Sequence, residues 1–93
     1  MRFEWDDQKN ASNLKKHRVD FETASLVFDD PMQLPTQDRE VDGEPRWQTI
    51  GRAGEVLLLL VAHTVEDEDE EVVRIISARK ARPHERRRYE RRL

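Results

Sequence analysis

Val56-Leu57-Leu58-Leu59-Leu60-Val61-Ala62-His63 decides how this chain folds. A run that is apolar at successive positions has no polar side, which predicts a central strand covered on both faces. Ala53-Gly54-Glu55 just before it predicts a turn, and Trp47-Gln48-Thr49-Ile50, leading into Gly51-Arg52, predicts the preceding strand. Beyond the run, Glu66-Asp67-Glu68-Asp69-Glu70-Glu71 is six acids in succession and reads as a solvated hairpin loop. Val72 to Ala78 then alternates, with Val73, Ile75 and Ser77 set opposite Val72, Arg74, Ile76 and Ala78. Three neighbouring strands with short connections make an antiparallel meander.

The flanks supply helices. Phe3-Glu4-Trp5 is a short edge-strand candidate, after which Asp6 or Asp7 can cap a helix to about His17. Its apolar stripe is narrow, Ala11 and Leu14. Asp20 can cap a second helix from Phe21 to about Phe28, with Phe21, Ala24, Val27 and Phe28 on one face, until Asp29-Asp30-Pro31 stops it. Met32 to Arg46 is polar and holds Pro35, Gly43 and Pro45, so it reads as a loop with at most one short strand. Pro83 fits the first turn of a last helix that runs through Arg86 and Tyr89 towards Leu93, with Glu85 at its third position. The expected order is β-α-α-β-β-β-α: one α+β domain over residues 1–93, an antiparallel sheet with helices packed on it in two layers.

Composition narrows the function. The chain has 93 residues, 35% hydrophobic and 40% charged. No run is long enough to span a membrane, and the absence of cysteine excludes disulfides, thiolate metal sites and cysteine nucleophiles. Met1 to Asp7 contains no apolar signal core, so a cytoplasmic location is expected. The net charge of −3 is unevenly spread. Residues 72–93 carry nine Lys or Arg against Glu85 and Glu90, a net +7, whereas residues 1–71 sum to −10. Thirteen arginines against four lysines favour contacts to phosphate or carboxylate, and a basic end of this kind suits a polyanion or an acidic protein segment.

At this level of detail the chain resembles a known family. Glu4-Trp5-Asp6 with Lys9, Asn13-Leu14-Lys15-Lys16-His17-Arg18-Val19-Asp20-Phe21 and Val27-Phe28-Asp29-Asp30-Pro31 look like the opening of the BrnT family. Ile50-Gly51-Arg52, Val61-Ala62-His63-Thr64, Arg74-Ile75-Ile76-Ser77-Ala78-Arg79 and Glu85-Arg86-Arg87-Arg88-Tyr89 resemble its later motifs, in order. The resemblance implies a RelE-like fold and a type II toxin that cuts RNA and inhibits translation. It also implies a BrnA-like antitoxin with a ribbon-helix-helix DNA-binding part, and operator DNA bound only through that complex. Two features depart from the pattern: Arg82-Pro83-His84 opens the last helix where a small hydroxyl cap is expected, and Glu66–Glu71 is unusually acidic.

RNA cleavage without a metal needs a base for the 2′-hydroxyl, cations for the charged phosphorane and an acid for the leaving 5′-oxygen. No cofactor or metal is expected. The candidates for the chemistry are Lys16, His17, Arg52, His63, Arg79 and Tyr89, gathered in a basic cleft between the sheet and the terminal helices. His17 or His63 would move protons, Arg52 and Arg79 would hold the phosphate, and Tyr89 would stack a base or donate a hydrogen bond. Each has a plainer reading: His17 as a cation at a helix C-terminus, His63 as a core-edge histidine, the arginines in salt bridges and Tyr89 in packing. Lys15, Arg82, Arg86 and Arg87 would contact RNA backbone. The alternative function is a non-enzymatic module that pairs with a DNA-binding partner to co-repress its operon.

Overall fold

The computed structural model describes residues 1–55 and 57–93. Val56, the first residue of the apolar run, lies outside the described residues. The elements are β1 (Arg2–Glu4), α1 (Asp7–His17), α2 (Phe21–Ser25), a 3₁₀ turn (Leu26–Asp29), β2 (Leu34–Val41), β3 (Glu44–Ala53), β4 (Leu57–Asp67), β5 (Glu71–Lys80) and α3 (Pro83–Glu90). The five strands form one sheet in the order β1-β5-β4-β3-β2. The expected α+β class and the central place of the apolar strand hold, with one strand more than the sequence order gave.

That strand is β2, inside the stretch expected to be a loop. It pairs antiparallel with β3, from Leu34 opposite Ile50 to Val41 opposite Glu44. Almost all its side chains are exposed, so no apolar period marks it. It is an edge strand, where Pro35 is tolerated because its missing N–H costs no ladder bond. Asp42 and Gly43 turn the chain with φ of 52° and 81°, the left-handed pair a tight hairpin requires. The sheet is also mixed rather than antiparallel throughout, since β1 runs parallel to β5, with Phe3 opposite Val73.

Alternation along β4 builds two cores. Leu59 and Val61 point to one face and pack with Phe21, Ala24 and Val27 of α2 and the 3₁₀ turn. Leu58 and Leu60 point to the other, where Ile50 and Tyr89 of α3 meet them. Helices therefore cover both faces of the sheet: α1 and α2 complete the layer expected from the sequence, and α3 adds cover on the far side. β5 contains a bulge, because Ala62 pairs with Ser77 while His63 pairs with Ile75, leaving Ile76 unopposed. The bulge inverts the alternation, so Val73, Ile75 and Ala78 share one face and Ser77 is not in phase with them.

The caps fall where the sequence puts them. Asp6 accepts from the amides of Gln8 and Lys9, and Asp20 from that of Thr23. Ala11 and Leu14, however, do not anchor α1; both are exposed. Asn13 anchors it instead. Its side-chain amide donates to the carbonyls of Val19 and Ala78, both at 2.8 Å, and accepts from the Ala78 N–H at 3.1 Å. One buried amide thus takes the place of a strand along the edge of β5 that β1 is too short to cover.

Candidate functional site

The structure does not gather the six candidates into one cleft; it places them in four settings. Lys16 and His17 form the last turn of α1, where they line an open groove with Lys9, Ser12, Ser77 and Ile76. Lys16 is exposed and His17 half-buried, beside the bulged part of β5. A solvent-reachable imidazole on this groove can move a proton, and an ammonium on it can hold an anion.

Arg52 and Tyr89 lie on the α3 side of the sheet. The Arg52 guanidinium sits 5.9 Å from the centre of the Tyr89 ring, within cation–π range. Both line a pocket of about 250 Å³ with Leu58, Arg86 and Glu90. Tyr89 is buried and its hydroxyl donates to Asp30 at 2.6 Å. The same Asp30 carboxylate accepts from the backbone N–H of Arg52 and of Met32, both at 2.9 Å. Burial works against ionisation of Asp30, yet these hydrogen bonds hold its carboxyl below the usual range. Burial and the adjacent Asp30 push the Tyr89 hydroxyl up. Tyr89 is therefore a neutral donor committed to Asp30, and its ring supports Arg52. Gly51 makes this arrangement possible, since a Cβ there would stand 2.6 Å from Val27 Cγ1.

Arg79 is engaged elsewhere. Its two terminal nitrogens meet both oxygens of Glu85 at 2.8 and 2.9 Å. The Arg79 hydrogen bonds pull the Glu85 carboxyl down to about 2, against the effect of its burial. Glu85 also accepts the Arg82 N–H at 2.8 Å, the carboxylate half of a capping box at the start of α3. The sequence placed Arg79 on the phosphate; its fork is occupied by a buried carboxylate, so it holds α3 to β5 instead.

His63 also departs from the expected cleft. It lies on the α2 face, 3% exposed, with Nε2 2.8 Å from Thr49 Oγ1 and its ring edge-on to Phe28 at 4.9 Å. Burial lowers its pKa to about 4, so it is neutral near pH 7. This is the core-edge histidine of the plainer reading. Lys15, Arg82, Arg86 and Arg87 are all exposed on α1 and α3. Asp30 is the residue the sequence reading missed as a site group. Its signal was the Asp29-Asp30-Pro31 string, read there only as a helix stop.

Among the described residues, three ion pairs form: Arg2–Glu70, Arg74–Glu4 and Arg79–Glu85. Lys15, Lys16, Arg52, Arg82, Arg86 and Arg87 have no carboxylate in salt-bridge reach. No three of His, Asp and Glu among the described residues converge as a cation cage. No helix among them is long and apolar enough to cross a membrane.

The fold and these side chains define the class: a small α+β domain built on one five-stranded mixed sheet, with exposed cations on α1 and α3. The sequence narrows the class: residues 5–85 match the family of the ribonuclease toxin BrnT of type II toxin-antitoxin systems, and the chain belongs to that family. Its fold is similar to that of the Brucella abortus ribonuclease toxin BrnT, known from a crystal structure, with a TM-score of 0.62 and 21% identity over 88% of this chain and 97% of that one. Compared with curated protein sequences, the chain has no match.

Proposed function

We propose that this toxin is an endoribonuclease that cleaves single-stranded RNA without a metal ion and so inhibits translation. The observation that carries the reading is the set of unpaired cations on α1, β3 and α3. Cations without internal carboxylate partners are free to release counterions on a phosphate backbone. Lys15, Lys16, Arg82, Arg86 and Arg87 hold the strand, and Arg52, braced by the Tyr89 ring, meets a phosphate.

His17 is the proton-moving group, because it is the candidate imidazole that solvent and RNA can reach. It takes the proton of a 2′-hydroxyl. The 2′-oxygen then attacks phosphorus, the bond to the 5′-oxygen breaks, and that oxygen takes up a proton from water, to which His17 returns the one it took. The products are a 2′,3′-cyclic phosphate and a 5′-hydroxyl. Lys16 stabilises the added negative charge. Arg79 and Tyr89 are positioning residues: one fixes α3, the other fixes Arg52.

As a type II toxin the chain has an antitoxin partner. We take that partner to be BrnA-like, with a ribbon-helix-helix part that carries the complex to operator DNA. The test is purified toxin on a defined single-stranded RNA with EDTA, with product ends identified. Cleavage in EDTA with cyclic phosphate ends supports the mechanism. Cleavage that requires magnesium, or no cleavage by folded protein, overturns it.

A further inference from the structure

The end of the molecule away from Arg52 carries the opposite charge. Trp47 pairs with His63, and from there β3 and β4 run to adjacent hairpin tips. One tip carries Asp38, Glu40, Asp42 and Glu44, the other Glu66 to Glu71. Of the nearby cations, Arg2 is tied to Glu70 at 3.3 Å, while Arg39 and Arg46 stand on the β2–β3 hairpin with its four acids. Solvation alone accounts for acids on hairpin tips; it does not account for what lies beside them. On the α2 face the cover ends at Phe28 and leaves an open, mostly apolar slot of about 250 Å³. Met1, Phe28, Pro35, Trp47, His63 and Val65 line it, with Met1 64% and Val65 37% exposed.

We infer that this slot and its acidic rim form a docking site for a basic segment of the antitoxin, which inserts one apolar side chain between Trp47 and Val65. The inference rests on the toxin–antitoxin pairing above. The slot matches one side chain in size. The rim selects the sign of the partner. Glu71 lines the slot, and it and the five other acids of the β4–β5 tip attract Lys or Arg on the incoming chain. The same acids repel phosphates, which argues against a nucleobase as the occupant. The site lies on the face opposite Arg52, so the docked segment anchors the antitoxin and leaves the rest of its chain to reach the cationic surface.

The test uses the antitoxin of the same operon as the probe, titrated onto the intact toxin. Two variants keep the fold: Val65→Arg, at an exposed position that crowds the slot and opposes a cation, and the amide set Glu66→Gln, Asp67→Asn, Glu68→Gln and Asp69→Asn. Val65→Arg is expected to weaken the complex by about tenfold or more, the size of a lost interface anchor. The amide set is expected to weaken it and flatten its salt dependence. RNA cleavage is expected to be unchanged in both, which separates this site from the catalytic one. A complex of wild-type strength with Val65→Arg overturns the inference, as does loss of RNA binding in that variant, which would make the slot a base pocket. Self-association of the toxin that Val65→Arg abolishes would assign the slot to a second copy. Absence of any complex with wild-type toxin overturns the pairing and the inference together.

Discussion

Arg79 and Glu85 meet as a two-pronged ion pair across the corner between β5 and α3, at 2.8 and 2.9 Å. Glu85 is buried, and its remaining bond is to the Arg82 N–H that opens the helix. The pair therefore decides whether α3 is held against the sheet, and with it where Tyr89 and Arg86 stand. Arg79→Ala leaves a buried carboxylate without its cation and is expected to cost about 3 kcal/mol of stability. Urea unfolding checks this. Activity should fall with the folded fraction; an Arg79→Ala protein of native stability that has lost cleavage would return Arg79 to the phosphate.

The same pair sets an acid limit. Glu85 has a folded pKa of about 2 against an ordinary 4.5, so it contributes stability above 4.5 that is lost as pH falls towards 2. Across that window the loss amounts to about 3 kcal/mol. Asp30, also held below its usual range, adds in the same direction. Unfolding free energies measured between pH 6 and pH 2.5 should fall, and the Glu85→Gln variant should show a shallower fall from a lower starting value.

His63 makes a separate prediction at higher pH. Its folded pKa is lowered to about 4 from 6.5, so the unfolded chain binds a proton that the folded chain refuses. Stability then rises with pH between 4 and 6.5 and levels above that. Moving from pH 7 to pH 5 should cost about 2 kcal/mol from this group. His63→Phe should remove that dependence while keeping the aromatic contact to Phe28. Cleavage should depend on His17 instead: His17→Ala is expected to lower the rate by about a hundredfold or more at unchanged thermal stability.

Much of the fold was legible because the apolar run of β4, the caps of Asp6 and Asp20, and Pro83 act locally. β2 was hidden because an edge strand is held by backbone hydrogen bonds and its side chains face water. Asp42-Gly43 was the available sign of its hairpin. Asn13 was hidden for the opposite reason: its partners Val19 and Ala78 are distant in sequence, and no periodicity announces a side chain standing in for a strand. The site was less legible than the fold. Composition gave the basic α3, but it could not tell a guanidinium without a salt-bridge partner, as in Arg52, from one closed on a carboxylate, as in Arg79. That distinction depends on Glu85 arriving from the next element.

Gly51 tests how the Arg52 site is held. A Cβ at this position would stand 2.6 Å from Val27 Cγ1 and 3.5 Å from Asp30 Oδ2, in the place where the 3₁₀ turn lies on β3. Val27 is fully buried, so it cannot swing away. Gly51→Ala must push the turn off the strand, and overpacking of this kind costs about 1–3 kcal/mol. The displacement would move Asp30 away from the Arg52 amide and the Tyr89 hydroxyl, both of which it now holds. Two effects should appear together: a lower unfolding midpoint, and weaker RNA binding than Arg86→Ala produces. Arg86→Ala should shift the salt slope of RNA binding by about one phosphate contact and leave stability unchanged. If Gly51→Ala loses stability alone, with RNA affinity intact in the folded protein, Asp30 does not orient Arg52 for its ligand and the site reduces to surface charge.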